Sequence, residues 1–208
     1  MSRVRVVKIG GSLVGSPWLV QWARALAGAA PARIVAVPGG GPFAAQVRRL
    51  QDSLGFDDRT AHRMALASMD QLGWLLTGLA DGLCGCVDTQ QMSQAWARGE
   101  VAVWLPSASL SRSGDPPASW TWTADALALW LACRLDAEAL LLVKSAAVHA
   151  PSVRVSEMRR RGLVDAAFAS RFEAFRGRAW LAHRAQIAAA SALLGGNPHP
   201  PLCAILPG

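Results

Sequence analysis

The chain has 208 residues, of which 52% are hydrophobic and 17% charged, and its 21 basic residues exceed its 14 acidic residues by 7. This composition excludes an intrinsically disordered chain, and the length suffices for a buried core. No apolar run reaches the roughly 18 to 20 residues of a membrane span, so we expect no membrane association.

Short β-type runs alternate with longer helical stretches along the chain. Strands are predicted at 4–9, 33–37, 84–87, 101–104, 139–143 and 202–206, and helices at 17–29, from 42 onward, and at 58–79, 89–98, 124–135, 164–175 and 183–194, with one more strand between the last two helices. The segment 106–119 is rich in Pro, Ser and Gly and is predicted to be a loop. This alternation predicts an α/β fold with a mostly parallel sheet.

The basic residues include only two lysines, Lys8 and Lys144; the other 19 are arginines. An ammonium is a compact point charge, whereas a guanidinium is a broad planar fork. Both lysines fall at the ends of predicted strands, where ligands bind in parallel sheets. They are therefore candidates for a role that arginine does not fill.

Glycine runs follow two of the predicted strands. Gly10 and Gly11 precede Ser12, and Gly39, Gly40 and Gly41 end the second strand. Glycine lets backbone N–H groups approach an anion closely, and a helix start beyond it adds a favourable dipole. Together with the two lysines, these loops predict a phosphate-binding site. The order of residues matches neither a P-loop nor a dinucleotide-binding fingerprint.

Polar residues at two helices have two possible readings each. Thr123 is a predicted N-cap, and Asp125 in the first turn either serves the helix or holds the two lysines. On the long helix, His62, Arg63 and Asp70 either form a solvated face or line a substrate site. Arg63 and Asp70 are seven residues apart and so lie on one face.

Four blocks together resemble the amino acid kinase superfamily, which includes acetylglutamate, aspartate, carbamate and uridylate kinases. They are Val7–Ser12, Val37–Pro42, Thr123–Asp125 and Leu142–Ser145, in the family's order. The resemblance implies a three-layer αβα sandwich that transfers the γ-phosphoryl group of ATP, with Mg2+, to an acidic small-molecule acceptor.

The resemblance also implies a role for each matching residue. Lys8 and Lys144 would neutralise the transferred phosphoryl group and Asp125 would orient them. Gly10, Gly11, Ser12, Thr123 and Ser145 would bind the nucleotide. Gly39, Gly40 and Gly41 would hold the acceptor. His62, Arg63 and Asp70 are further candidates for acceptor binding from their place on the long helix. Residues 1–208 would form a single domain with an acceptor lobe at 1–118 and a nucleotide lobe at 119–208.

Residues 61–71 are most similar to a small branch, the 5-(aminomethyl)-3-furanmethanol phosphate kinases of methanofuran biosynthesis. That branch implies a furan phosphate acceptor and a diphosphate product, with Asp70 or a tryptophan against the aminomethyl cation. The chain departs from the family after Lys144, where no glycine follows within five residues, and at Gly195–Asn197, where the usual Gly-Thr block is not recognisable. Both departures concern the adenosine end of the site.

Other functions remain open from the sequence. A binding or storage protein of the same fold, and a kinase for another carboxylate or phosphate such as a nucleoside monophosphate, are the alternatives. The pI of 10.5 admits a nucleic-acid ligand, but the scattered arginines argue against one.

We expect a cytoplasmic protein with reduced cysteines. The apolar helix at 58–79 favours a homo-oligomer, although it suits a core helix equally.

Overall fold

A computed structural model describes residues 3–113 and 119–208. In these ranges the strands are β1 (Arg5–Ile9), β2 (Ile34–Pro38), β3 (Leu83–Cys86), β4 (Val101–Trp104), β5 (Ala139–Lys144), β6 (Ser152–Arg154), β7 (Arg178–His183) and β8 (Cys203–Leu206). They form one sheet in the order β3-β4-β2-β1-β5-β7-β8-β6. The first six strands in this order are parallel, and β8 is antiparallel to β7 and parallel to β6. The prediction of a mostly parallel sheet is confirmed.

Helices cover both faces of this sheet. They are α1 (Pro17–Ala27), α2 (Gly41–Leu54), α3 (Asp58–Leu79), α4 (Thr89–Ala97), α5 (Pro106–Ser113), α6 (Ala124–Arg134), α7 (Val155–Arg160), α8 (Ala166–Arg171) and α9 (Ile187–Leu194), with 3-10 turns at Gly11–Leu13 and Phe172–Ala174. None of the described helices is both long and apolar enough to cross a membrane.

Alternate residues of each central strand pack into two separate cores. Val6 and Leu142 belong to the core beneath α6 and α8, whereas Val7 and Leu141 belong to the core beneath α1 and α9. Nearly continuous burial of the strands is the pattern expected of a parallel sheet covered on both sides. The predicted αβα sandwich is confirmed.

The predicted loop at 106–119 was wrong for its first half, because residues 106–113 form α5. Asp70 of α3 accepts a hydrogen bond from the backbone N–H of Ser107 at 3.2 Å and another from its hydroxyl. A tertiary contact thus caps a serine-rich segment of weak helix propensity. Residues 114–118 lie outside the described residues, and the division into lobes at 118 stays a prediction.

The segment between β5 and β7 contains more and shorter secondary-structure elements than predicted. Residues 152–160 form β6 and α7, which the sequence pattern did not indicate. The predicted helix at 164–175 is a six-residue helix, α8, followed by a 3-10 turn, and the predicted helix at 183–194 begins only at Ile187. Strand β7 occupies the residues through His183. Segments this short carry too few residues for a periodic pattern.

Helix α3 has the predicted bounds and contributes both to the core and to the surface. Leu66, Leu72 and Leu76 are buried, whereas Trp74 is 60% exposed and Leu75 is 38% exposed. Core packing therefore explains most of its apolar content. The predicted homo-oligomer stays a prediction.

Candidate active site

Lys8 and Lys144 lie on neighbouring strands near the carboxyl ends of β1 and β5. The register pairs Lys8 with Leu142, two residues before Lys144, so alternation directs both lysines to the same face of the sheet. This is the face that α6 covers, since Leu142 and Leu127 share one core. The two ammonium groups therefore meet the amino end of α6.

Asp125 lies at that end of α6 and contacts both lysines. Its Oδ1 is 3.0 Å from Nζ of Lys8, and its Oδ2 accepts a hydrogen bond from Nζ of Lys144. Lys144 also donates to the carbonyl oxygen of Leu163. The side chains of Lys8 and Asp125 are 9% and 8% exposed. One buried carboxylate thus fixes two cations beneath the ends of the strands.

Thr123 holds the start of α6 in place. Its Oγ1 accepts a hydrogen bond from the Asp125 N–H at 3.3 Å, which makes Thr123 the N-cap that the sequence predicts. The same hydroxyl donates to Asp165, which in turn caps α8 by accepting from the Phe168 N–H at 2.7 Å. Asp125 is therefore positioned by two linked helix starts rather than by its own helix alone.

The charges of this triad do not balance. Burial alone raises the pKa of Asp125, but the ammonium groups of Lys8 and Lys144 outweigh burial and hold that pKa below its usual value. Asp125 is therefore ionised at neutral pH. Burial lowers the pKa of Lys144, and the nearby Lys8 ammonium lowers it further. The Asp125 carboxylate acts in the opposite direction and raises it, but the net shift is downward. Within the triad two cations face one carboxylate, which favours the binding of an anion, and the charge of Asp165 also acts on Lys144.

The two glycine loops pack directly against each other. The Gly39 N–H donates to the Ile9 carbonyl oxygen at 2.9 Å. A Cβ on Gly39 would lie 2.6 Å from the Gly11 nitrogen, and one on Gly11 would overlap the backbone of Gly41, whose φ is +54°. Any larger residue at Gly11 or Gly39 would force the loops apart. The loops consequently present bare backbone to the space above the lysines.

That space is a cavity of about 430 Å³, which lies within the roughly 300 to 1,000 Å³ of small-molecule sites. Its floor holds Lys8, Lys144 and Asp125. The glycine loops form one wall, and side chains of α2, α3 and the segment 119–122 form the rest: Ala44, Ala45, Arg48, His62, Ala65, Leu66, Met69, Trp120 and Trp122. The cavity thus has a cationic end and a largely apolar, aromatic end.

Comparison with known sequences decides the family. The profile of the amino acid kinase family matches residues 3–148. The chain belongs to the amino acid kinase family. The match includes all four blocks on which the resemblance was based, and it ends shortly after Lys144.

One relative within the amino acid kinase family is the [5-(aminomethyl)furan-3-yl]methyl phosphate kinase of Methanocaldococcus jannaschii. It is 29% identical over 141 residues, which are 67% of this chain and 64% of that protein. The matched region therefore spans less than two thirds of the relative.

Solved structures of the amino acid kinase fold match nearly the whole chain. The uridylate kinase of Archaeoglobus fulgidus has a TM-score of 0.73 at 16% identity, covering 98% of this chain and 100% of that one. The UMP kinase of Ureaplasma parvum has a TM-score of 0.68 at 12% identity, covering 99% of each. At these identities the likeness establishes the fold alone.

The structure brings most of the residues singled out from the sequence to this cavity. Gly10, Gly11, Ser12, Gly39, Gly40, Gly41, His62, Thr123, Asp125 and the two lysines line it. Ser145 lies beside it, where its hydroxyl oxygen is 2.8 Å from that of Ser12. This contact joins the loop after β1 to the end of β5.

Besides Ser145, two of the residues singled out from the sequence do not line the cavity. Arg63 is exposed on α3. Asp70 is half-buried and bound to Ser107, and burial raises its pKa although the two hydrogen bonds from Ser107 oppose this. Their contribution to acceptor binding stays a prediction.

Sequence reasoning missed Arg48 and Trp120. The Arg48 guanidinium lies 4.4 Å from the centre of the Trp120 ring, and the Trp120 indole N–H donates to Gln51 at 2.6 Å. Arg48 lies about two turns beyond Gly41, on the face of α2 that also carries Ala44 and Ala45. Helical spacing from the glycine loop was the signal that could have indicated it. Nothing in the sequence indicated its pairing with Trp120.

Proposed function

We propose that this chain is an ATP-dependent kinase that transfers the γ-phosphoryl group to a phosphate oxygen of a small acceptor. The observation that carries the proposal is the buried Lys8–Asp125–Lys144 triad, with its surplus positive charge, beneath two glycine loops. Phosphoryl transfer depends on positioning and charge stabilisation more than on covalent catalysis. The cavity provides groups for both.

Each residue has a defined task in this reaction. Lys8 and Lys144 would stabilise the charge on the transferred group, one from each of two adjacent strands. Backbone N–H groups of Gly10 and Gly11 would bind phosphate oxygens. Asp125 would keep the ammonium groups in place by ion pairing. The acceptor phosphate is already ionised at neutral pH, so no general base is required.

The phosphates of ATP would bind at the cationic end of the cavity, where Ser12 and Thr123 line the wall and Ser145 contacts Ser12. Mg2+ would supply charge neutralisation on the phosphates of bound ATP. Within residues 3–113 and 119–208, no three His, Cys, Asp or Glu side chains are grouped so that they could hold a metal ion. Mg2+ usually binds through substrate phosphates with only one or two carboxylates, so the phosphates of ATP would hold most of its ligand positions.

The acceptor we propose is a furan methyl phosphate, which would yield a diphosphate. The relative from M. jannaschii supports this choice, and so does the apolar and aromatic end of the cavity. Arg48 is the cation at that end and would bind the acceptor phosphate. The rings of Trp120 and Trp122 would pack against the furan, and each ring already carries a guanidinium over it, Arg48 over Trp120 and Arg171 over Trp122.

The test is a reaction of the purified protein with ATP, Mg2+ and each candidate acceptor. Phosphorus NMR should show ADP and a new diphosphate with [5-(aminomethyl)furan-3-yl]methyl phosphate. Formation of UDP from UMP instead would assign a nucleotide acceptor. Tight nucleotide binding without transfer to any phosphate or carboxylate acceptor would favour a binding protein of the same fold and reject the kinase.

A further inference from the structure

A second cavity lies at the opposite edge of the sheet from Lys8 and Lys144. Its volume is about 350 Å³, and it opens at the amino-terminal ends of β1, β5 and β7. Strand β5 separates the two edges by roughly 16 Å at 3.3 Å per residue. A ligand bound here could not take part in chemistry at the lysines.

Two Arg-x-Arg segments flank this cavity. Arg3 and Arg5 lie at the start of β1, and Arg176 and Arg178 lie at the start of β7. The strand register places Arg5 and Arg178 on either side of Ala139, the first residue of β5. The two flanking strands are about 10 Å apart, and the small alanine between them leaves room for a ligand.

The inner two arginines are held by the fold. Arg5 forms an ion pair with Glu138 at 2.7 Å and donates to the Leu194 carbonyl oxygen at 3.1 Å. Arg178 donates to the Pro198 carbonyl oxygen at 3.0 Å. These contacts anchor the two guanidinium groups at the cavity, and Glu138 neutralises only one of them.

The outer two arginines have unused donors. Arg3 and Arg176 are exposed at the rim, and neither has a hydrogen-bond or ion-pair partner within the ranges that the structure describes. The whole lining carries four guanidinium groups against two carboxylates, those of Asp136 and Glu138. A concave site with this surplus of guanidinium forks suits an oxyanion that carries at least two negative charges.

We propose that this cavity is a second anion-binding site, which takes a small phosphate ester or diphosphate between the two Arg-x-Arg segments. The site is independent of the proposed catalytic activity. Its size favours a small molecule, because a nucleic-acid backbone would require a longer basic surface.

The experiment is an NMR titration of the whole protein with pyrophosphate at constant ionic strength. The amides of Ala139 and Gly177 report on this cavity, whereas those of Gly10 and Gly11 report separately on the active site. We expect both sets to shift. Arg3→Ala/Arg176→Ala should weaken binding at Ala139 and Gly177 about tenfold or more and leave the shifts at Gly10 and Gly11 unchanged.

The matched control is Arg49→Ala/Arg59→Ala, which removes two exposed arginines outside both cavities. Equal weakening in the control would show a general effect of net charge and overturn the proposal, as would unchanged binding in Arg3→Ala/Arg176→Ala. Arg3→Lys/Arg176→Lys keeps the charge and should retain intermediate affinity. Citrate binding as tight as pyrophosphate would reject the phosphate assignment, and tighter binding of a single-stranded oligonucleotide at the same amides would reject the small-molecule assignment.

Discussion

The ammonium nitrogen of Lys8 lies 3.0 Å from Oδ1 of Asp125, and neither side chain is more than 9% exposed. The other oxygen of this carboxylate binds Lys144. Each lysine therefore has a fixed position with little room around it. A compact ammonium fits this arrangement, whereas a guanidinium would have to displace the carboxylate or the adjacent glycine loop.

Lys8→Arg should therefore abolish most turnover although it conserves charge. We expect kcat to fall about 100- to 1,000-fold, the usual effect of losing one well-placed donor to the transition state. The measurement is ADP formation at saturating ATP and acceptor. Circular dichroism and the thermal midpoint verify folding, and a folded Lys8→Arg variant with normal kcat would contradict the role of Lys8. Arg49→Lys, an exchange on the exposed face of α2, is the control.

Asp125→Asn should destabilise the fold as well as the site. The change removes the carboxylate that pairs with both buried ammonium groups, and breaking a buried pair costs about 3–5 kcal/mol. Urea unfolding followed by tryptophan fluorescence measures the loss. A variant as stable as the parent would show that the two lysines do not depend on Asp125.

The lowered pKa of Asp125 predicts that the free energy of unfolding depends on pH in acidic solution. Because the folded-state pKa of Asp125 is lowered, its contribution is fully present above the unfolded pKa of about 3.9 and is lost as the pH falls through the lower folded-state value. The parent should therefore lose more free energy of unfolding than Asp125→Asn over that acid range. Equal losses in the two proteins would contradict the lowered pKa.

The central part of the site was accessible from sequence, because it depends on local features. Lys8 and Lys144 end apolar strands, and glycine runs follow β1 and β2, so a parallel sheet brings these residues to one edge. The link between Asp125 and the lysines required the family resemblance, since first-turn aspartates are common. Arg48 and Trp120 were missed because their contact joins residues 72 positions apart, beyond any periodic pattern. Helix α5 was missed because its cap, Asp70, lies 37 residues before Ser107 in the sequence.

Because of His62, we expect the free energy of unfolding to decrease in weakly acidic solution. Burial lowers the pKa of His62, and a hydrogen bond to the Ser119 backbone opposes this only in part. The unfolded state then takes up a proton more readily, so the free energy of unfolding decreases as the pH falls below about 6.5. In His62→Gln the decrease between about pH 7.5 and pH 5 should be smaller than in the parent. His199→Gln, at an exposed site, should behave as the parent does, and identical pH profiles for all three proteins would refute the prediction.

Arg48 and Arg49 are adjacent on α2 and provide a matched pair. Both are exposed, but Arg48 lies over Trp120 and lines the cavity, whereas Arg49 does not line it. Arg48→Ala should raise the KM for the phosphate acceptor about tenfold, because a charge-assisted contact is lost, and should change the KM for ATP little. Arg49→Ala should leave both constants unchanged. The measurement is steady-state ADP release with each substrate varied in turn. A rise in the KM for ATP alone would place Arg48 on the nucleotide side of the cavity, and equal effects of the two variants would show that Arg48 acts only through net charge.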